Sequence, residues 1–276
     1  MGLTLARIAA AIEAAAPLAL AESWDRPGLQ VGSLDAPVAR VLIALDPTPS
    51  VVEEAARRGA DLIVTHHPLF LHPPTCLDWA TPVGRTVRLL AREGLSLYSA
   101  HTNLDRVSGG VSDWLADRLG LGKVRPLQPV PGWEGAGTGR VGTISRPEPL
   151  GEWARWAADV LGSECARLTG DPERIVSRVA VCGGSGTSLW PEALAAGADV
   201  LVTGDLKHHV ALDASDAGVA VLDLGHAPTE QGALKVMERI VRDLARTEGE
   251  RLEVETWNPG EPWKPVERRE RPRQHA

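Results

Sequence analysis

Two adjacent histidines, His66 and His67, close the apolar run of "GADLIVTHHPLF" (59–70) immediately before a proline. Buried strands do not normally end on paired imidazoles. Further along, "AHTNLD" supplies His101 and Asp105, and "GHAPTE" supplies His226 and Glu230, each couple spaced His-x-x-x-acid. Imidazole and carboxylate together suit Zn, Fe, Mn, Ni or Co, and do not choose among them. Successive residues of an extended strand point to opposite faces, so His66 and His67 cannot both serve one ion while the strand continues. Pro68 breaks the pleat there. Two neighbouring ions, one per histidine, with Asp105 and Glu230 as bridging carboxylates, satisfy the geometry. Such a pair would hold a bridging water, lower its pKa, and offset charge developing on an attacked carbon or phosphorus.

A duplication positions these residues. "RVLIALDPTPSVVEEAARRGADLIVTHH" (40–67) aligns without a gap on "RVAVCGGSGTSLWPEALAAGADVLVTGD" (178–205), at a constant offset of 138 residues. Arg40 meets Arg178, Gly59-Ala60-Asp61 meets Gly197-Ala198-Asp199, and Thr65 meets Thr203. Each copy reads as strand, turn, helix, strand, with the helix stopped by Gly59 or Gly197. Apolar strands joined by helices imply parallel pairing with both sheet faces covered. The expected fold is therefore α/β, with two pseudo-repeated, intimately packed halves and mostly parallel central strands. Ligands of such sheets bind beyond the carboxyl ends of the strands, where all the histidines above fall.

The N-terminal half spans 1–122 and carries the HH and HTNLD motifs. A crossing segment and the C-terminal half, with TGD and GHAPTE, span 123–256, and 257–276 reads as an irregular tail. Within the Pro- and Gly-rich crossing (123–150), a strand is expected at 139–144, followed by a helix over 151–161.

Composition narrows the function classes. The 276 residues are 43% hydrophobic with a formal net charge of −7, which suits a soluble core under an acidic surface and not a general affinity for nucleic acid. "ERRERPRQHA" at the end mixes glutamate into its arginines and reads as a solvated tail. Cys76, Cys165 and Cys182 form no CxxC pair, which points to a reducing cytoplasm and away from cysteine-ligated zinc. Residues 5–20 superficially look like a secretory leader, but Glu13 interrupts them and Leu5, Ile8 and Ile12 fit one face of an amphipathic helix. No window is apolar enough to span a membrane.

His72, His208 and His275 read as solvated. "CGGSG" (182–186) is open to two readings, a phosphate-cradling loop or a tight packing turn. Ser185 lacks the context of a nucleophile elbow, and Cys182 reads as a small buried hydrophobe.

Taken together, "WDRPGLQVG" (24–32), "DLIVTHHPLF" (61–70), "AHTNLDRVSGGVSDWLADRLGL" (100–121), "VAVCGGSG" (179–186), "TGDLKHHVALDA" (203–214) and "LGHAPTE" (224–230) make the chain resemble the Nif-three-like dinuclear-metal proteins, labelled GTP cyclohydrolase I type 2 in many genomes. The resemblance covers nearly the whole chain. It implies a two-part α/β fold, a dinuclear metal site and assembly into a homohexameric ring. Carried over by position, the ligands are His66, His67, Asp105, His226 and Glu230, with His101 and His209 near the site as candidate proton carriers or as hydrogen-bond partners behind the ligands. "LFLHPP" stands where relatives often have a basic residue, and His208 where tyrosine is common. The label implies a metal-dependent hydrolase acting on a small molecule, the purine ring of GTP, with Arg85, Lys207 and the 182–186 amides as candidate holders of the triphosphate. The alternative is a metal-binding regulatory or carrier protein with little turnover.

Overall fold

The computed structural model describes residues 2–265. The chain runs α1 (Leu5–Ala15), β1 (Gly28–Val31), β2 (Arg40–Ala44), α2 (Pro49–Arg57), β3 (Leu62–Thr65), α3 (Pro82–Glu93), β4 (Ser96–Ser99), α4 (Thr102–Arg106) and α5 (Val111–Arg118). It continues through β5 (Gly122–Pro129), β6 (Gly137–Pro149), α6 (Leu150–Leu161), β7 (Arg167–Leu168), β8 (Ile175–Val181), α7 (Trp190–Ala195), β9 (Val200–Thr203), α8 (His208–Ala217), β10 (Ala220–Asp223), α9 (His226–Glu248) and β11 (Glu253–Thr256). The first sheet has the order β1-β4-β3-β2-β11 and the second β5-β6-β8-β9-β10-β7. Central pairings are parallel (β4-β3, β3-β2, β2-β11; β8-β9, β9-β10), while β1, the β5-β6 hairpin and β7 pair antiparallel.

Helices cover both faces of each sheet, which is why strands such as β3 and β9 are apolar at nearly every position and wholly buried. On the first sheet, Leu5, Ile8 and Ile12 of α1 pack with Met237 and Val241 of α9, so the leader-like run is a core helix. Val51, Val52 and Leu90 of α2 and α3 cover the opposite face. On the second sheet, α6 packs on one face through Trp153 and Ala157, and α7 and α8 on the other through Ala193 and Ala214.

The duplicated residues do the same jobs in both copies. Asp61 Oδ2 accepts the backbone N–H groups of Ala39 and Arg40, both at 2.8 Å. Asp199 Oδ2 accepts those of Ser177 and Arg178 at 2.8 and 2.9 Å. The Arg40 guanidinium donates to the carbonyls of Arg58 and Gly59 past the end of α2, and Arg178 to that of Ala196 past α7. Each arginine thus satisfies carbonyls orphaned at a helix C-terminus. The repeat is a tie between strand start and helix end.

Two stretches differ from the expectation. The crossing segment is not one short strand in a loop but the long β5-β6 hairpin, with β6 pairing β8 on its other side. Its prolines fall where a hairpin tolerates a missing donor. Near the C-terminus, α9 and β11, which lie within 123–256, return to the first sheet, where β11 pairs β2 in parallel. Residues 257–265 form no helix or strand, although Trp257 N–H donates to Ile43 O at 2.8 Å. The basic-acidic run 267–276, including His275, lies outside the described residues. No described helix is long and apolar enough to cross a membrane.

Candidate metal centre

Strand β3 ends at Thr65, so the histidine pair lies just past the pleat. His66 N–H still donates to Ala44 O (3.2 Å) and His67 N–H to Leu45 O (2.9 Å). Thr65 Oγ1 donates to His67 O at 2.8 Å, curling the chain back on itself. The two rings thereby share one cleft, with centroids 5.1 Å apart and planes tilted by 47°.

Four imidazoles are held alike, each fixed through Nδ1. His66 Nδ1 donates to Ala100 O at 2.9 Å, His67 Nδ1 to Asp46 at 2.8 Å, His101 Nδ1 to Asp25 at 2.8 Å and His226 Nδ1 to Asp205 at 2.7 Å. Such bonds select the tautomer that leaves Nε2 with a free lone pair, the arrangement metal-ligating histidines usually show. The Nε2 atoms converge. That of His67 is 3.2 Å from that of His226, and each lies 3.1 Å from Glu230 Oε2. His66 Nε2 is 3.4 Å from Asp105 Oδ1 and 3.7 Å from Glu230 Oε1. Two overlapping ligand groups result, His66-His67-His101 and His67-His226-Glu230, sharing His67. All five expected ligand residues meet here, and His101 joins them as a potential donor.

Three partners the sequence reading did not single out orient these rings: Asp25, Asp46 and Asp205. Asp25 is buried and also accepts from Thr102 N–H and Oγ1–H. Asp205 takes a left-handed backbone conformation (φ 56°), which Asp tolerates better than most residues. Its signal was available, because Asp205 occupies the repeat position of His67. Asp46, one residue beyond Leu45 at the exit of β2, had no comparable marker.

The glycine loop makes room. A Cβ on Gly184 would sit 2.1 Å from Glu230 Oε1 and 3.1 Å from His226 Nε2. Two loop amides are engaged internally, Gly184 N–H by Thr229 Oγ1 and Gly186 N–H by Thr203 Oγ1, both at 2.9 Å. Cys182 is buried at the loop's start. His209 lies on the exposed first turn of α8, edge-on to His208, away from the cavity that His67, His101 and His226 line. His208, His72, Arg85 and Lys207 are likewise exposed and outside that lining.

Charge is poised for a cation. Burial pushes the His67 imidazolium down, but hydrogen bonds to Asp46 and Glu230 outweigh it and push its pKa up to about 10. The same contest, with Glu230 and Asp205 as partners, pushes His226 up to about 9. His66 is raised against its burial by the charges of Asp105 and Glu230. Burial, with the Glu230 charge beside it, raises Asp105, whereas Glu230, despite burial, is held well below the usual carboxylate range by the surrounding imidazoles. His66 Nε2, Asp105 Oδ1 and Glu230 Oε2 are buried without a hydrogen bond of ordinary geometry. Orphaned buried donors and acceptors are costly, and divalent cations would satisfy all three at once. The N/O donor set fits such ions.

Comparisons with known proteins agree with this architecture. A family model described as Duf34/NIF3 (NGG1p interacting factor 3) matches residues 3–259. A Streptomyces coelicolor protein named "GTP cyclohydrolase 1 type 2 homolog" is 45% identical over 231 residues, covering 82% of this chain and 81% of its own. Among solved structures, a Bacillus cereus protein related to NIF3 superposes with a TM-score of 0.91 at 24% identity, over 96% of this chain and 100% of that one. A Staphylococcus aureus hypothetical protein, SA1388, reaches 0.89 at 28% identity, over 96% of this chain and 100% of its own.

Proposed function

The chain belongs to the Duf34/NIF3 family, and from that premise we propose that it is a hydrolase working with two divalent metal ions. The observation that carries this is the convergence of four Nδ1-anchored imidazoles, the buried Glu230 carboxylate and the half-buried Asp105 carboxylate on one cleft. His66 and Asp105 would hold one ion and His67 and His226 the other, with Glu230, one oxygen toward each set, available to both. Bound there, divalent ions lower the pKa of a coordinated water and stabilise negative charge on the group under attack.

The chain's own residues do the rest. Asp46, Asp205 and Asp25 keep three of the rings in one tautomer and one orientation, and Ala100 O does so for His66. His101 is the better placed of the two histidines offered as proton carriers, because it lines the cavity and Asp25 holds its Nδ1–H. A His101 left free by the metals would accept a proton at Nε2. The name borne by relatives makes ring-opening hydrolysis of a purine nucleotide the first reaction to try.

One observation favours a metal-carrier function instead. His67 and His226 are reached from two sides, by the main cavity and by a second opening lined by Asp46, Glu261 and Trp263, and a carrier needs an exit for its cargo. The deciding experiment is a hydrolysis screen over nucleotides and phosphoesters with Mn- and Zn-loaded protein, alongside transfer of bound Zn to a chelator. Metal-dependent turnover that His67→Ala abolishes supports the hydrolase. Rapid Zn release with no turnover on any substrate overturns it.

A further inference from the structure

The duplication offers an internal control away from the metal centre. In the first copy Arg40 of β2 faces β11, where it is registered against Glu253. Its Nη1 donates to the carbonyls past α2, and its Nε donates to the Glu253 carboxylate at 2.8 Å. In the second copy Arg178 holds the equivalent place on β8 and caps α7 through Ala196 O at 3.2 Å. The outer neighbour of β8 is β6, and the residue registered against Arg178 is Thr143. No described carboxylate bonds the Arg178 guanidinium. The arginine is repeated; its anion is not.

More cations gather where that carboxylate is missing. β5 slips register between Gly122 and Arg125, and Lys123 there takes a left-handed conformation (φ 52°) that lysine rarely adopts. Lys123 and Arg125 line one pocket with Arg178, over Val141, Gly142 and Thr143. No Asp or Glu among the described residues lines it, although the chain carries a net charge of −7. The Arg125 guanidinium has one described partner, Pro126 O at 3.4 Å, and the Lys123 ammonium has none. At about 170 Å³ the pocket is smaller than sites that enclose whole small molecules, roughly 300 Å³ upward, and suits a single compact group. It shares no residue with the cavity of the metal centre.

Arginine donates to a phosphate as a fork and lysine meets it as a point charge. We propose that this pocket binds one group of the phosphate class, inorganic phosphate or a phosphate monoester. That group gives Arg178 the negative charge that Glu253 gives Arg40. The site goes beyond the metal-hydrolase reading and does not depend on it.

Calorimetric titration of the full chain with inorganic phosphate, glycerol 3-phosphate and acetate tests it, after a chelator has removed any metal that would itself hold phosphate. Saturable binding of one phosphate or monoester per chain is expected, with Kd of about 1 mM or below, and the tighter of the two identifies the source. Acetate at matched ionic strength should bind at least about tenfold more weakly. Lys123→Ala/Arg125→Ala, at two exposed positions, should weaken phosphate binding on the order of tenfold with the melting temperature unchanged. Thr143→Glu supplies a carboxylate at the register position that Glu253 occupies in the first copy. It should abolish phosphate binding while the melting temperature holds or rises. No saturable binding, acetate as tight as phosphate, or variants that bind phosphate like the parent chain would overturn the proposal. So would a parent chain that binds no phosphate and elutes as an assembly that the double variant breaks, because an acidic surface of a second copy would then be the occupant.

Discussion

The exits of β3 and β9 are the same point in two copies of one frame, and they carry different chemistry. Both strands are four-residue, wholly buried and terminated by threonine, and both follow a helix whose end an arginine caps from the preceding strand. Beyond Thr65 come His66 and His67, the two proposed ligands. Beyond Thr203 come Gly204, which lets the chain pass Gly225 closely, and Asp205, which holds the Nδ1 of His226. Even the threonines have diverged, since Thr65 curls its own chain while Thr203 pins the 184–186 loop. The duplicated frame fixes where a site can be. Which residues donate and which only support is decided after duplication, by what faces each exit across the cleft.

That division predicts a gradient of effects. The largest is expected at His67, shared by both ligand groups: His67→Ala should cost one ion on the order of 100-fold or more in affinity. Near-UV circular dichroism should be unchanged, and metal analysis after dialysis checks the loss. At Gly204, the repeat partner of His66, a Cβ would meet the backbone of Gly225 and His226 at 2.8 Å. Gly204→Ala should therefore destabilise the fold by about 1–3 kcal/mol in urea unfolding. Asp205→Asn, at the position equivalent to His67, should retain both ions and weaken binding about 10-fold, as should Asp46→Asn on the first half. Equal losses for His67→Ala and Asp205→Asn would erase the distinction between donor and support.

The smallest effect is one of pH. In metal-free protein the His67 and His226 pKa values stand at about 10 and about 9, above the ordinary 6.5. Groups raised on folding stabilise most fully below 6.5, and that contribution is lost as pH rises through 9 and 10. Metal must displace the same protons, so metal affinity should climb over that window while metal-free stability declines. Melting curves of the two forms from pH 6 to 10 should separate progressively, and parallel curves would contradict the picture.

Much of this was legible in the sequence. The gapless repeat, the helix-ending glycines and the His-x-x-x-acid spacing at two strand exits pointed to the cleft where these histidines and carboxylates meet. Other features were not. Asp25 and Asp46 acquire their roles only when tertiary packing brings them to rings 76 and 21 residues away in the chain. The β5-β6 hairpin was obscured by prolines, which read as loop although an antiparallel ribbon at a sheet edge accepts them. The return of α9 and β11 to the first sheet left no local trace either, because β11 is a four-residue strand whose partner, β2, lies more than two hundred residues earlier.

The central claim is that the two halves jointly hold a pair of ions. Anomalous diffraction from crystals grown with Mn tests it most directly. Two peaks per chain are predicted, one beside His66 and Asp105, the other beside His67 and His226, with Glu230 within reach of both. A single peak, or peaks that leave His226 and Glu230 uncoordinated, would contradict it.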